Sequence, residues 1–191
     1  MSSEIQKELI SAAYEDSEHL NRIVGNLLEI TRIETGAVSL HIKTCDLSDV
    51  VGAALQSLKN KIGQRTIIVQ IPQDLPEIPM DFVLMMRVFV NLIDNAIKYS
   101  PPSMPIRILA VLKDKVVKVE IQDSGFGIAD MDLFRIFEKF YRSSKSRQIT
   151  GTGLCLSICK GIVEAHGGRI WAQNNEDKGA SLSVELPLVR K

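Results

Sequence analysis

The sequence feature that most constrains the fold is a helix that carries two asparagines on one side. Val88, Leu92 and Ala96 recur at helical spacing, which predicts a helix with one apolar face. Asn91 and Asn95 are four residues apart, so they lie one above the other on that helix. The rest of the chain has to cover the apolar face and leave the two carboxamides accessible.

The two carboxamides indicate a particular kind of ligand. Their carbonyl oxygens can bind a hard cation without the charge of two carboxylates, which suits Mg²⁺ already carried by an anionic substrate such as a nucleoside triphosphate. Lys98 follows one turn later and adds a positive charge for a phosphate. An isolated N-x-x-x-N pattern also fits an ordinary polar helix surface, so the interpretation depends on the motifs that follow.

Composition excludes several other classes of protein. The 191 residues suffice for one well-buried domain with an appendage, and 23 acidic and 23 basic residues leave no excess charge that would favour nucleic acid or an anionic membrane. The apolar runs are too short to span a bilayer and the N-terminus has no signal-peptide pattern, so we expect a soluble, cytoplasmic piece. Cys45, Cys155 and Cys159 are expected to be buried apolar side chains, because no histidine or further cysteine is nearby.

Residues 4–35 form one long helical pattern at the N-terminus. Ile23, Leu27 and Ile30 continue an apolar seam at spacings of four and three. Gly36 ends the pattern. A narrow seam on so long a helix predicts packing against other helices, as in a bundle or coiled coil.

The remainder of the chain alternates strands and helices. Asp81 is the predicted N-cap of the central helix, and Ser100-Pro101-Pro102 ends that helix. Apolar and polar residues alternate in the strand predicted at 116–123. We therefore expect one face of the sheet to pack against the core and the other face to contact solvent. The pattern predicts an α+β two-layer sandwich, in which three helices cover one face of a mixed, mostly antiparallel sheet. Strands are predicted over 38–44, 66–71, 78–80, 106–112, 116–123, 169–174 and 180–186, and helices over 47–61, 82–99 and 152–165.

Two glycine motifs downstream of the asparagines indicate a nucleotide site. Asp123 ends a strand with apolar neighbours, where its carboxylate can accept a hydrogen bond from an exocyclic amine of a base. Gly125 and Gly127, in D-S-G-F-G-I, let the backbone approach the base closely. Gly151 and Gly153, in G-T-G-L-C-L-S-I, precede the last helix, where unpaired N–H groups and the helix dipole favour phosphate.

The segment between these two motifs is predicted to be a lid. It contains I-F-E-K-F-Y-R (136–142) and is rich in basic and aromatic residues without a regular period. A loop of this length inside a compact domain is usually functional. Phe137, Phe140 and Tyr141 are expected to fasten the lid to the domain. The candidates for contact with the phosphates are Arg142, Lys145 and Arg147.

In their order along the chain, these motifs resemble the N, G1, F and G2 boxes of the catalytic and ATP-binding domain of bacterial two-component sensor histidine kinases. The wider HATPase_c family includes DNA gyrase, heat-shock protein 90 and the MutL-type mismatch-repair ATPases, and its fold is the Bergerat sandwich. The resemblance implies that the site binds ATP and Mg²⁺, with Asn95 as the metal ligand, Asn91 as the second candidate, and Asp123 as the residue that selects adenine. The residues that it implicates in nucleotide binding are Asn91, Asn95, Lys98, Tyr99, Asp123, Gly125, Gly127, Ile128, Phe140, Tyr141, Arg142, Gly151, Thr152, Gly153 and Leu154.

The resemblance also implies a reaction. The ATP-hydrolysing relatives have a glutamate at the position of Asn91 that deprotonates water, and an amide cannot take that proton. The site should therefore keep the γ-phosphoryl group for a histidine from outside the domain, with Asn91, Lys98 and Arg142 in catalytic roles. The chain alone should bind ATP but barely phosphorylate itself, because structural roles are expected for all three of its histidines, His19, His41 and His166.

The N-terminal helix resembles the second helix of the dimerisation and histidine-phosphotransfer hairpin of these kinases. The resemblance divides the chain into residues 1–36, which form this helix, and residues 37–191, which form the catalytic ATP-binding domain. The first helix of the hairpin, with the phosphoacceptor histidine, has no counterpart here. We therefore expect a longer parent protein that forms a homodimer and passes phosphate to a response regulator. An inner-membrane sensor is one candidate for this parent. V-V-G-A-A-L-Q (50–56) also resembles the potassium-responsive branch of the family.

One position departs from the family pattern. Cys155 stands where the G2 box usually has a third glycine, so we expect a narrower site or altered lid closure, with nucleotide binding retained. Two alternatives remain open. One is an anti-sigma-factor Ser/Thr kinase, which shares the ATP fold, and the other is a nucleotide-dependent interaction module that has lost its chemistry.

Overall fold

The structure, a computed structural model, describes residues 39–143 and 152–189 together with single positions before residue 39. Those single positions, among them Val24 and Leu28, are helical and exposed. The long N-terminal helix predicted over 4–35 otherwise lies outside the described residues, and so does the predicted division after residue 36.

The strands of the described residues form two sheets. In chain order they are β1 (Lys43–Cys45), β2 (Ile67–Gln70), β3 (Ile78–Met80), β4 (Ile106–Lys113), β5 (Val116–Gln122), β6 (Arg169–Asn174) and β7 (Ala180–Pro187). The larger sheet has the order β2-β4-β5-β7-β6, in which β2 and β4 are parallel and all other neighbours are antiparallel. The prediction of a mixed, mostly antiparallel sheet is confirmed.

The strand predicted over 38–44 is shorter than expected and belongs to the smaller sheet. β1 pairs only with β3, antiparallel, with Lys43 opposite Met80 and Cys45 opposite Ile78. Because β3 offers only three residues as partners, the ladder cannot extend back to residue 38. The two strands are not hydrogen-bonded to the larger sheet, although β3 contacts β7.

The helices are α1 (Leu47–Ser57), α2 (Lys59–Ile62), α3 (Phe82–Tyr99) and α4 (Cys155–Ala165), and short 3₁₀ turns occupy Asp130–Asp132 and Arg135–Phe137. The single helix predicted over 47–61 is interrupted at Leu58, which separates α1 from α2. The last helix begins later than the predicted Thr152. Gly153 has a φ of 72°, which is incompatible with a right-handed helix, so α4 starts only after it.

The bounds of α3 follow from its sequence. Asp81 accepts hydrogen bonds from the N–H groups of Val83 and Leu84, both at 3.1 Å, and so caps the first turn. At the other end, the Arg65 guanidinium donates to the Ser100 hydroxyl at 2.5 Å and to the carbonyls of Ile97 and Ser100. These bonds satisfy carbonyls that the end of a helix leaves without partners.

The core lies between the helices and one face of the larger sheet. α3 packs between α1 and α4 and contacts β5, while α4 contacts β6 and β7. Val117, Val119 and Ile121 of β5 point into this core, and the residues between them are only partly buried. The predicted two-layer sandwich with three main helices on one face is confirmed.

A buried histidine joins the end of α4 to the start of α3. His166 Nε2 accepts a hydrogen bond from the main-chain N–H of Asp81 at 3.0 Å, and Nδ1 donates to the carbonyl of Ile162 at 2.7 Å. The imidazole is therefore neutral in this arrangement. Among the described residues, no helix combines the length and apolar character that crossing a bilayer requires.

Candidate functional site

A cavity opens where the second half of α3, the end of β5 and the start of α4 meet, and the segments around 123–128 and 136–143 complete its wall. Ten of the predicted nucleotide contacts line it. They are Asn95, Lys98, Tyr99, Asp123, Gly127, Ile128, Tyr141, Arg142, Thr152 and Gly153. The N, G1, F and G2 motifs, which are far apart in sequence, thus meet at one place in the fold.

Asp123 is rigidly held at the end of β5. Its main-chain N–H donates to the carbonyl of Ala180 at 2.9 Å, and its Oδ1 accepts from the N–H groups of Gly125 at 2.7 Å and Ala180 at 3.3 Å. Both hydrogen bonds described for the side chain use Oδ1, which leaves Oδ2 for a ligand. Burial raises the pKa of the Asp123 carboxyl above its ordinary value, although these hydrogen bonds and the charge of Arg65 act in the opposite direction.

Glycines surround Asp123 because the backbone is crowded there. A Cβ on Gly125 would lie 2.2 Å from the carbonyl oxygen of Tyr99, and a Cβ on Gly179 would lie 2.1 Å from the carbonyl oxygen of Asp123. Gly125 was predicted to admit the base, but it is buried and does not line the cavity. Its physical role is to let the loop pack against the end of α3.

Lys98 lies in an ion-pair cluster at the edge of the cavity. Its ammonium is 2.5 Å from Oδ2 of Asp94, and Lys61 of α2 is 2.8 Å from Oδ1 of the same carboxylate. Burial alone would raise the pKa of Asp94, but the hydrogen bonds from Lys61 and Lys98 outweigh it and hold the pKa below its ordinary value. The cluster holds the Lys98 ammonium at the edge of the cavity.

The two asparagines of α3 differ in their position. Asn95 lines the cavity beside Lys98, whereas Asn91 is half-buried one turn earlier and is not part of the lining. The carboxamide of Asn95 is a neutral oxygen donor of the kind that suits Mg²⁺. The side-by-side pair predicted from the sequence therefore offers one group directly to the cavity.

The segment predicted as a lid is attached to the domain in a way that differs from the expectation. Phe137 is buried in the core as predicted, but the ring of Phe140 is 62% exposed. It is the main chain of Phe140, at a φ of 61°, that makes the attachment, because its N–H donates to the carbonyl of Gly153 at 2.9 Å. Phe140, which the sequence analysis placed among the nucleotide-binding residues, does not line the cavity, and its role in binding stays a prediction.

Tyr141 is the aromatic side chain of this segment that lines the cavity, and its two described contacts lie within the segment. Its hydroxyl donates to Oδ1 of Asp132 at 2.5 Å, and the Arg135 guanidinium lies 4.2 Å from the centre of its ring. Arg142 follows it on the cavity wall. Lys145, Arg147 and Gly151, which the sequence also singled out, lie outside the described residues.

The start of α4 borders the cavity. The helix has Leu154 as its N-cap residue and no side-chain cap, while Cys155 and Leu156 line the cavity wall. The side chain of Leu154 is fully buried, and its N–H donates to Thr152 Oγ1 at 3.3 Å. Leu154 does not line the cavity, and its contact with a nucleotide stays a prediction. An uncapped helix start with its positive dipole end favours an anion.

Sequence reasoning missed several residues of the cavity wall. Phe126 meets the Tyr99 ring edge to face, with 5.9 Å between the ring centres, and an aromatic residue inside a glycine motif was the available signal. The other missed residues are apolar or small and come from elements that only the fold brings together, so the sequence carried no local signal for them. They are Ala96, Ile136, Ser143, Leu156, Ala180 and Leu182.

Comparison with known families decides what kind of domain this is. The family model described as "Histidine kinase-, DNA gyrase B-, and HSP90-like ATPase" matches residues 80–190. The chain belongs to this family. The HATPase_c match extends from the start of α3 through β7, and it includes every residue of the cavity wall.

Curated relatives of this HATPase_c chain are sensor kinases. Sensor protein KdpD of Clostridium acetobutylicum is 39% identical over 186 residues, which cover 95% of this chain and 20% of that protein. KdpD of Escherichia coli is 37% identical, covering 87% of this chain and 18% of that protein. The Adaptive-response sensory kinase SasA of Synechocystis is 31% identical, covering 97% and 49%. The chain thus spans between about a fifth and a half of these relatives.

Solved structures of histidine kinases share the fold. The nucleotide-free catalytic domain of histidine kinase ThkA has a TM-score of 0.68 at 28% identity, covering 78% of this chain and 96% of that one. The mycobacterial sensor histidine kinase MprB gives 0.69 at 26% identity, covering 76% and 97%. Full-length ShkA in complex with AMPPNP gives 0.85 over 100% of this chain and 40% of that one, and at 23% identity it supports the fold alone.

Proposed function

We propose that this HATPase_c domain binds Mg-ATP and donates the γ-phosphoryl group to a histidine of the dimerisation domain of a sensor kinase. One observation carries the proposal. A partly buried carboxylate, Asp123, a carboxamide, Asn95, and the start of α4, which has no side-chain cap, line a single cavity. They suit an amino-bearing base, a hard cation and a phosphate chain respectively.

Selection of adenine would rest on Asp123. Its Oδ2 can accept a hydrogen bond from the 6-amino group of adenine, whereas guanine would present a carbonyl oxygen to it and leave two acceptors facing each other. Tyr99, Phe126 and Ile128 supply the apolar wall against which a purine would lie. The raised pKa of the Asp123 carboxyl means that binding should weaken if the group becomes protonated, since it would then lose its role as acceptor.

Asn95 is the residue that would hold a magnesium ion, and Asn91 is the second candidate. No group of three His, Cys, Asp or Glu side chains in the described parts of the chain could hold a metal, so the ion would enter with the nucleotide. When bound, it would neutralise charge on the phosphates. Lys98, fixed by Asp94, and Arg142 would orient the γ-phosphate.

The phosphoryl acceptor would come from outside the domain. Asn91 carries an amide, which cannot deprotonate a water molecule, so the γ-phosphate would be spared from rapid hydrolysis. His166 is buried in the core and is committed to Asp81 and Ile162. A homodimeric parent would bring in its own histidine helix, and a response regulator would receive the phosphate. ThkA, one of the structural neighbours, is described in complex with the response regulator protein TrrA.

Binding is tested by calorimetry with a non-hydrolysable ATP analogue, with and without Mg²⁺. We expect magnesium-dependent binding that Asp123→Asn weakens by at least about 100-fold, because the amide presents a donor where the base needs an acceptor. Asp114→Asn, in an exposed turn at a φ of 56°, is the matched control and should bind like wild type. Absence of binding by the wild-type chain would refute the proposal.

Transfer is tested by adding the histidine-bearing hairpin of a related sensor kinase together with ATP labelled on the γ-phosphate. An acid-labile, base-stable label on the hairpin supports a histidine kinase. A label on serine or threonine of an added protein would instead indicate the anti-sigma-factor type of kinase. Tight binding without any transfer would indicate an interaction module.

A further inference from the structure

The hairpin formed by β6 and β7 is hydrogen-bonded to the loop 123–128. This loop lines the side of the cavity where the base of a nucleotide would lie, here called the base side. Asn174, the last residue of β6, uses its side chain for this contact. Its Oδ1 accepts from the N–H of Ile128 at 2.8 Å, and its Nδ2 donates to the carbonyl of the same residue at 2.7 Å. One carboxamide therefore bonds both main-chain groups of Ile128, as a neighbouring strand would.

The local geometry suits asparagine in particular. The contact needs one acceptor and one donor on the same short side chain, and an aspartate would set an oxygen against the carbonyl of Ile128. Gly127 passes so close that a Cβ there would lie 3.0 Å from Oδ1 of Asn174, and its φ is 72°. The loop is thus shaped around the carboxamide.

The next residue of the hairpin holds the other end of the same loop. Asn175 Nδ2 donates to the carbonyl of Asp123 at 2.9 Å, and its N–H donates to the carbonyl of Gly179 at 3.0 Å. Two consecutive asparagines therefore fix the loop at its first residue, Asp123, and at its last, Ile128. The residues between these points carry the wall that faces the purine.

We infer that Asn174 is a positioning residue for nucleotide recognition, acting through Ile128 on the base side of the cavity. Asn174 itself is exposed and is not part of the cavity wall, whereas Ile128 is. Loss of its carboxamide should loosen the loop without opening the core. The inference rests on the proposed function, since it specifies how that site holds the adenine end of ATP.

The experiment compares Asn174→Ala, Asn174→Asp and the control Gln173→Ala, an exposed neighbour on the same strand. Calorimetry measures two probes for each variant, the magnesium complex of AMPPNP and that of inorganic tripolyphosphate. We expect AMPPNP to bind roughly tenfold more weakly to Asn174→Ala, and still more weakly to Asn174→Asp. Tripolyphosphate should bind all three variants as it binds wild type, because it does not touch the base side.

Amide hydrogen exchange without nucleotide gives a second readout. Exchange in the segment 125–128 should be faster in Asn174→Ala than in wild type, and unchanged in Gln173→Ala. Equal AMPPNP affinity in Asn174→Ala and wild type would overturn the inference while leaving the proposed function intact. An equal loss of tripolyphosphate affinity would overturn it as well, because it would indicate general damage. A wild-type chain that binds neither probe would instead refute the proposed function.

Discussion

At the scale of single residues, the lysine that the sequence assigned to phosphate is already part of an ion-pair cluster. The i, i+4 spacing of Asp94 and Lys98 was readable from the sequence, but the contribution of Lys61 was not, because it comes from another helix. The same limit applied to Asn174, whose partner Ile128 is 46 residues away. Local patterns singled out residues that the fold brings to one cavity, whereas the partners that hold some of them in place could be found only from the fold.

Replacement of Asp94 should make stability less dependent on pH. The pKa of the Asp94 carboxyl is lowered in the folded state. The stabilisation that its negative charge gives to the fold is therefore present above pH 3.8, the ordinary pKa of this group, and is lost as the pH falls through the folded-state pKa. We expect Asp94→Asn to lower the free energy of unfolding by about 1 kcal/mol at pH 7, reduced by high salt because both lysines are partly exposed. Urea unfolding at pH 7 and at about pH 2 measures this, because the contribution is lost only below pH 3.8.

Asp114→Asn serves as the control for that series, since Asp114 lies in an exposed turn. Its unfolding free energy should match wild type at both pH values. If Asp94→Asn is as stable as Asp114→Asn at pH 7, the cluster contributes nothing to folding.

At the scale of elements, the bounds of α3 were predictable and the start of α4 was not. Asp81 and the proline pair after Ser100 mark the limits of α3 in the local sequence. The start of α4 follows the positive φ of Gly153, and glycine is needed there because a Cβ would lie 2.8 Å from the main chain of Phe140. Both the φ and the approach of Phe140 belong to the fold, so a helix start at Cys155 and not at Thr152 was not readable from the sequence.

The link between α4 and α3 should be sensitive to the loss of one imidazole. His166→Ala would leave the N–H of Asp81 and the carbonyl of Ile162 without their side-chain partner in a buried place, together with a small cavity. We expect a loss of about 2–4 kcal/mol in the free energy of unfolding. His41→Ala is the control and should hardly change the free energy of unfolding. His41 bonds Asp81 through its main-chain N–H, which the substitution keeps. Equal stabilities of the two variants in urea would contradict this role.

At the scale of the whole molecule, the order of motifs and the alternation of elements were sufficient to predict the sandwich. The apolar alternation in β5 predicted which face is buried, and the structure bears this out. The separate sheet of β1 and β3 was not predictable, because short extended segments carry no signal for their partner. Pairing of this kind is decided by the three-dimensional arrangement.

The described core lies wholly between Leu47 and Leu186, which leads to a prediction about the N-terminal part. A variant that lacks residues 1–36 should keep its midpoint of thermal unfolding within a few degrees of the full chain and should bind the ATP analogue equally well. Scanning calorimetry and titration measure the two properties. A large fall in either would show that the predicted division after residue 36 is wrong.

The hydrogen bond between Phe140 and Gly153 has a consequence for how such domains can vary. It joins the main chain at residue 140 to the main chain at residue 153, so the two ends of the segment 141–152 are held close together. Doubling the length of a closed loop costs only about 0.6 kcal/mol in chain entropy. A change in the number of residues between Phe140 and Gly153 should therefore cost little free energy, and the described residues on both sides, Tyr141 and Arg142 before and Thr152 after, should keep their places on the cavity wall.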